Sequence, residues 1–271
     1  MVTLHDNKTL VNRCMPVIFC GHGDPMLALR DNELTRSLRQ LGDQVIKEFG
    51  RPKAILMVSA HWFTRGTLIQ SAREPRQVYD MYGFPEELYQ VTYPVEGYAD
   101  LTNRVLELLG DDVKVDDDWG IDHGTWTVLV HMFPDADIPV VQLSVDGLSD
   151  PEVHYQLGKR LASLRKEGYL IMASGNVVHN LRQVEWDNPG GTDKTTAFNQ
   201  FVKERIAERD DSALIDYTRI PNAPYAVPTP DHYLPLLYTL GASQGEKAVV
   251  FNDHCELGSM AMTGFAFGMD Q

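Results

Sequence analysis

KAILMVSAHW occupies residues 53–62. The run is apolar through its middle, from Ala54 to Val58, and it closes on small residues before a histidine. That is the pattern of a central strand buried on both faces rather than of a half-exposed one. Similar runs recur on either side. PVIFC at 16–20, IPVVQLSV at 138–145 and YLIMASG at 169–175 read as strands, and GTLIQSA at 66–72 as a shorter one. Between them lie helical patterns at 31–49, 97–109, 122–133, 150–168, 193–208 and 230–240. Asp31 or Asn32 can cap the first, and Gly50 stops it. Pro151 fits the first turn of the helix at 150–168. A Pro-, Gly- and Tyr-rich stretch at 73–97 reads as a long excursion. KAVVFN and SMAMTGFAFG, near the end, read as closing strands able to form a hairpin. Alternation of strand and helix predicts one α/β domain over residues 16–271, with a central mostly parallel or mixed sheet flanked by helices. Residues 1–15 read as an irregular arm.

Composition narrows the function. The formal net charge of −14 on 271 residues argues against nucleic acid or an anionic membrane as partner, because both need a basic face. No apolar run approaches the ~18 residues of a membrane span, and the first residues carry no apolar signal core. Three cysteines, Cys14, Cys20 and Cys255, are too few and too scattered for a disulfide framework. A cytoplasmic location follows as an expectation.

The histidines carry the chemistry. His22 follows the strand at 16–20, His61 the strand at 53–60 and His179 the strand at 169–175. In open α/β sheets, ligands sit beyond the carboxyl ends of parallel strands. If these strands run parallel, three imidazoles distant in sequence emerge on one edge. A single histidine is more often a hydrogen-bonding residue than a ligand; three at strand ends point to a metal. His123 in DHGTW and His232 in PTPDHYLP sit at loop-to-helix junctions and can join them. Gly21 and Gly23, flanking His22, would let the backbone curl close to an ion and leave room for a flat ring. His131 and His154 fall on helical patterns and read as surface or core residues. His254 with Cys255 and Cys20 offers a weak second reading as a structural zinc site. A nitrogen-rich set suits zinc, iron or copper. With a carboxylate such as Asp231 it would suit an oxygen-activating ferrous site, and with three histidines and an open position a hydrolytic zinc.

Six segments in order carry a further signal: GHGDPM, SAHWFTRG, WGIDHGTWTVL, ADIPVVQLS, ASGNVVHNLR and PTPDHYLPLLYTLGA. Together they resemble the 4,5-DOPA extradiol dioxygenase family, within the class III extradiol ring-cleavage dioxygenases that include protocatechuate 4,5-dioxygenase. The resemblance runs over about residues 15–268. It implies one mononuclear divalent metal, ferrous iron for activity with zinc as an alternative occupant, a catechol substrate such as L-DOPA, and molecular oxygen. It implies His22, His61 and His232 as metal ligands, and His179 as acid/base residue or fourth ligand. His123 would be a pocket residue contacting substrate or oxygen. The protocatechuate enzymes use two histidines and a glutamate, so His232 is a departure. It leaves one more positive charge at the metal. The competing readings are a zinc-dependent hydrolase or amidase on the same scaffold, and a non-catalytic metal-binding member. A monomer or small homo-oligomer is expected.

Overall fold

The computed structural model describes residues 14–269. The arm expected over residues 1–15 therefore lies, up to residue 13, outside the described residues. From the first strand onward the chain runs β1 (Val17–Gly21), α1 (Glu33–Phe49), β2 (Ile55–Thr64), β3 (Thr67–Ile69), α2 (Glu86–Tyr89), α3 (Ala99–Leu109) and β4 (Val113–Val115). The middle of the chain forms α4 (His123–Met132), β5 (Val140–Asp146), α5 (Pro151–Leu161), β6 (Leu170–Gly175) and α6 (Asp193–Glu208). Next come α7 (Asp211–Ile215), α8 (Ala223–Ala226), α9 (Leu234–Ala242), β7 (Ala248–Phe251), β8 (Cys255–Glu256), β9 (Met260–Ala261) and β10 (Gly264–Phe267).

Eight strands form one mixed sheet in the order β4-β3-β5-β2-β6-β1-β10-β7, and β8 and β9 form a separate ribbon. At its centre β5, β2, β6 and β1 run parallel. Antiparallel partners close both sides, β3 on β5 and β10 on β1. The closing hairpin is present as β7 on β10, with the small ribbon between them in sequence. The central strands are buried on both faces because helices cover both. Leu56 and Val58 of β2 join one apolar cluster with α3, α5, α6 and α9. Ile55 and Met57 of the same strand join the other, with α1 and α4. This two-sided burial is what an uninterrupted apolar run requires.

Helix α1 follows its sequence closely. Leu34, Leu38, Leu41 and Val45 form its buried stripe. Asn32 caps it reciprocally with Thr35, which settles the choice between Asp31 and Asn32. Helix α9 is buried on every side, so no amphipathic pattern marks it. Three expectations are corrected. The helix expected over 150–168 leaves α geometry after Leu161 and tightens into a 3-10 segment up to Glu167. The helix expected from 230 begins at Leu234, with residues 230–233 forming a turn. β2 does not stop at Ala60: it runs through His61 to Thr64, and its register against β5 shifts between Val58 and Phe63.

His131 and His154 are core residues. His131 Nε2 lies 2.8 Å from the Leu27 carbonyl. His154, in α5, is fully buried with Nδ1 3.2 Å from the Tyr238 hydroxyl of α9. Burial pushes its pKa down to about 4. An unfolded histidine titrates near 6.5, so between these values the unfolded chain binds the extra proton. Stability contributed by neutral His154 is therefore complete above about pH 6.5 and lost as pH falls toward 4. Denaturant melts at pH 7 and pH 5 should show His154→Gln losing about 2 kcal/mol less than the parent chain over that interval.

Candidate metal centre

Five histidines meet at the carboxyl-end edge of β1, β2 and β6, with His61 still inside β2. His22 directly follows β1, and its backbone N–H donates to the Gly175 carbonyl at the end of β6. His61 sits in the irregular stretch of β2, where the register shift re-aims it toward His22. His232 lies in the turn before α9, pinned by the Asn176 N–H donating to its carbonyl at 2.9 Å. Gly175 makes that approach possible: a Cβ there would stand 2.2 Å from the same carbonyl oxygen. His123 opens α4, whose N-cap is Asp122. His179 follows β6 and is held through its backbone N–H to Ala226 O.

The proton positions follow from the partners. Ser174 Oγ donates its single proton to the Gly124 carbonyl, so it must accept from His22 Nδ1, 2.8 Å away. Asp80 Oδ2 lies 3.0 Å from His61 Nδ1. Asp231 Oδ2 pairs with His232 Nδ1. Each of these three rings thus carries a proton on Nδ1, which leaves Nε2 as the atom that can bind a metal. The ring centroids form a nearly equilateral triangle, 4.9 Å for His22–His61, 5.1 Å for His22–His232 and 5.0 Å for His61–His232. His22 Nε2 and His61 Nε2 stand only 3.1 Å apart. His232 Nε2 is buried without a partner. Two ring nitrogens this close and an orphaned buried acceptor need a proton or a metal cation among them. The donor set fits a divalent metal held by neutral imidazoles, each steadied from behind by an oxygen.

The two other rings flank the triangle. His179 stacks on His232 with centroids 3.6 Å apart and planes 5° from parallel. His123 packs against His61 at 3.8 Å between centroids, with Nδ1 2.9 Å from Asp80 Oδ1. By ligand-atom spacing, His22, His61 and His123 form one compact group and His179, Asp231 and His232 another. The carboxylate that a two-histidine, one-carboxylate centre needs is present in Asp231, but it faces His232 Nδ1.

Charge is managed tightly. Burial, with the neighbouring rings, lowers the pKa of His22 and His232. Burial likewise lowers His123 and takes His179 down to about 4. These rings are in the unprotonated form that binds metal or accepts a proton. His61 is the exception: burial opposes its charge, but Asp80, Asp122 and Asp231 outweigh it and raise the pKa. Asp80, despite burial, is held far below the usual carboxylate range by His123 and His61.

Sequence reasoning missed Asp80. It comes from the 73–97 excursion, in a Tyr-Asp-Met context that carries no ligand signal. It also missed Asp122 as a buried hub, accepting from Ser59 Oγ at 2.7 Å and Gln142 Nε2 at 2.6 Å beneath the histidines. The role expected for Gly21 and Gly23 changes. Cβ atoms there would strike Met262, at 2.6 Å and 2.5 Å, so the glycines make room for that residue. The weak zinc reading of Cys20, His254 and Cys255 fails: Cys20 is buried in β1, His254 is exposed, and among the described residues only the histidine clusters gather ligands.

The centre lies at the floor of a cleft of about 790 Å³. Tyr82, Leu181 and Trp186 stand exposed at its lining. A cleft of this size holds a small aromatic molecule, and exposed apolar side chains at its edge are the kind that mark a binding site.

Asp231→Asn tests the supporting oxygens. An amide N–H facing Nδ1 would drive the His232 proton to Nε2, which must be bare to bind metal. Chelator competition should show metal affinity falling about 10- to 100-fold, with the fold intact.

Residues 16–268 match the family described as the catalytic LigB subunit of aromatic ring-opening dioxygenase. An Escherichia coli K12 protein named 4,5-DOPA dioxygenase extradiol is 43% identical over 261 residues, covering 94% of this chain and 95% of that one. A Beta vulgaris protein of the same name is 34% identical over 256 residues, covering 92% and 95%. A crystal structure of an E. coli K12 protein described as uncharacterized superposes with a TM-score of 0.81 at 42% identity, over 93% of this chain and 99% of that one.

Proposed function

The chain belongs to the LigB family of aromatic ring-opening dioxygenases, and from that premise we propose that it opens catechols of the DOPA type at the extradiol 4,5 bond, using a ferrous ion held by His22, His61 and His232. It is an enzyme, an extradiol ring-cleaving dioxygenase whose co-substrate is molecular oxygen. The comparisons favour neither a hydrolase nor a non-catalytic metal-binding protein. The observation that carries the metal assignment is the triangle of the three imidazole rings, with centroids 4.9 to 5.1 Å apart and each ring backed by an oxygen at Nδ1.

Ferrous iron bound there would supply the one-electron chemistry that lets oxygen react with an aromatic ring. The protein's own residues do the rest. His179, unprotonated and beside His232, accepts a proton from a catechol hydroxyl as general base and returns it as general acid. No side-chain hydrogen bond ties its ring among the described residues, so it is free to exchange that proton. His123, across the centre, contacts the substrate or oxygen, held in place by Asp80. The apolar lining of the cleft orients the ring and sheds water. The three free cysteines suit a reducing, cytoplasmic setting.

Protein purified without oxygen and reloaded with ferrous iron should take up oxygen with L-DOPA and give a yellow product. Zinc-loaded protein should take up none. No uptake with iron across a panel of catechols would overturn the reading.

A further inference from the structure

The charges lining the cleft are almost all committed to one another. Asp80 faces His61 and His123, and Asp231 faces His232. Asp24 holds Arg30, which also reaches Glu256 at 3.2 Å. Arg182 is the exception: it lines the cleft, and its guanidinium makes no ion pair or hydrogen bond among the described residues. In a protein of net charge −14, an uncommitted cation at a binding cleft is a local reversal of sign.

Its place relative to the catalytic histidine is fixed. Arg182 lies three residues after His179, in the 3-10 turn Leu181–Gln183. Asn180 builds that turn. Its Oδ1 accepts from the Arg182 N–H at 3.1 Å, its Nδ2 donates to Tyr225 O at 2.6 Å and its own N–H donates to Ser259 O at 3.1 Å. At most about 10 Å of chain separates the two residues, about the length of a catechol with a short side chain. One anchored segment therefore carries both the proton acceptor and the free guanidinium.

We propose that Arg182 is a specificity-determining residue that receives a carboxylate on the substrate's side chain, giving the enzyme a preference for catechol carboxylates over neutral catechols. The proposal rests on the ring-opening reading of this site. A planar guanidinium matches a carboxylate with two parallel hydrogen bonds, which lysine or a neutral donor does not reproduce. The mouth is solvated, so the contact is worth about tenfold in kcat/KM rather than the thousands a buried pair would give.

The test compares 3-(3,4-dihydroxyphenyl)propanoate with its methyl ester, which differ in that charge and one methyl group. Oxygen uptake by the ferrous enzyme should give a higher kcat/KM for the acid. Arg182→Gln should lower the acid-to-ester ratio about tenfold, through the KM of the acid, and Arg182→Lys should restore part of it. Added salt should erode the acid's advantage in the parent enzyme and not in Arg182→Gln. A merely structural role would lower both substrates together and leave the ratio unchanged, which overturns the proposal. Equal kcat/KM for acid and ester in the parent enzyme overturns it too, while ring opening stands. No uptake with either substrate overturns the proposal, and ring opening falls with it only if L-DOPA and the panel of catechols also give none.

Discussion

His22→Ala is expected to purify with less than about a tenth of the parent's metal after iron loading, and to lose oxygen uptake by at least about 10³-fold. The imidazole is one corner of the histidine triangle, and it is 1% exposed. Supporting groups one layer out change metal affinity by about 10- to 100-fold; a direct ligand must exceed that. Two measurements separate this from a folding defect. The circular dichroism should match the parent, because Ser174 keeps its bond to Gly124 and the β1–β6 ladder does not involve the His22 ring. In addition, added imidazole should return part of the metal binding. Full metal occupancy in His22→Ala would remove the residue from the ligand set.

His179→Ala is expected to behave differently. The ring stacks face to face on His232, and its removal leaves the His232–Asp231 pair and the other two corners in place. Metal content should stay near that of the parent while kcat falls about 10²- to 10⁴-fold, the range for loss of a positioned acid/base group. KM should change little, because catechol binding would rely on the metal and the apolar lining. Metal and turnover lost together would make His179 a fourth ligand. Unchanged kcat would pass the proton role to His123, the other histidine of the cleft outside the three proposed ligands.

Which parts of the molecule are readable from sequence follows from the physics of each part. The central sheet is legible because β1, β2, β5 and β6 are buried on both faces, and a continuous apolar run between Gly- and Pro-marked turns fits a doubly covered strand and little else. β4, α7 and α8 span only three to five residues each, too short for any period to register. His22 and His179 are legible as strand-end residues once parallel strands are expected. His61 is legible only in part: it lies within β2 rather than beyond it, and the register shift, invisible in a string of residue types, is what turns it inward. Asp80 cannot be read at all. Its importance is purely spatial, one carboxylate of a long loop meeting two histidines from different elements. Arg182 is hidden for a related reason, since being uncommitted is a property of the folded surroundings. Gly21 and Gly23 stand out in the sequence, but their purpose does not, because the residue they admit, Met262, comes from the far end of the chain.

In the proposed centre three imidazoles, each fixed through Nδ1, hold one metal in the cleft with His179 beside it. A crystal structure of the ferrous protein prepared without oxygen tests this most directly, with anomalous scattering at the iron edge locating the ion. The expected map has a single iron peak bonded to Nε2 of His22, His61 and His232 at about 2.1 Å, with Asp231 still turned to His232 Nδ1. A peak bonded to the Asp231 or Asp80 carboxylate in place of one of these histidines, or two peaks split between the two histidine groups, would contradict it.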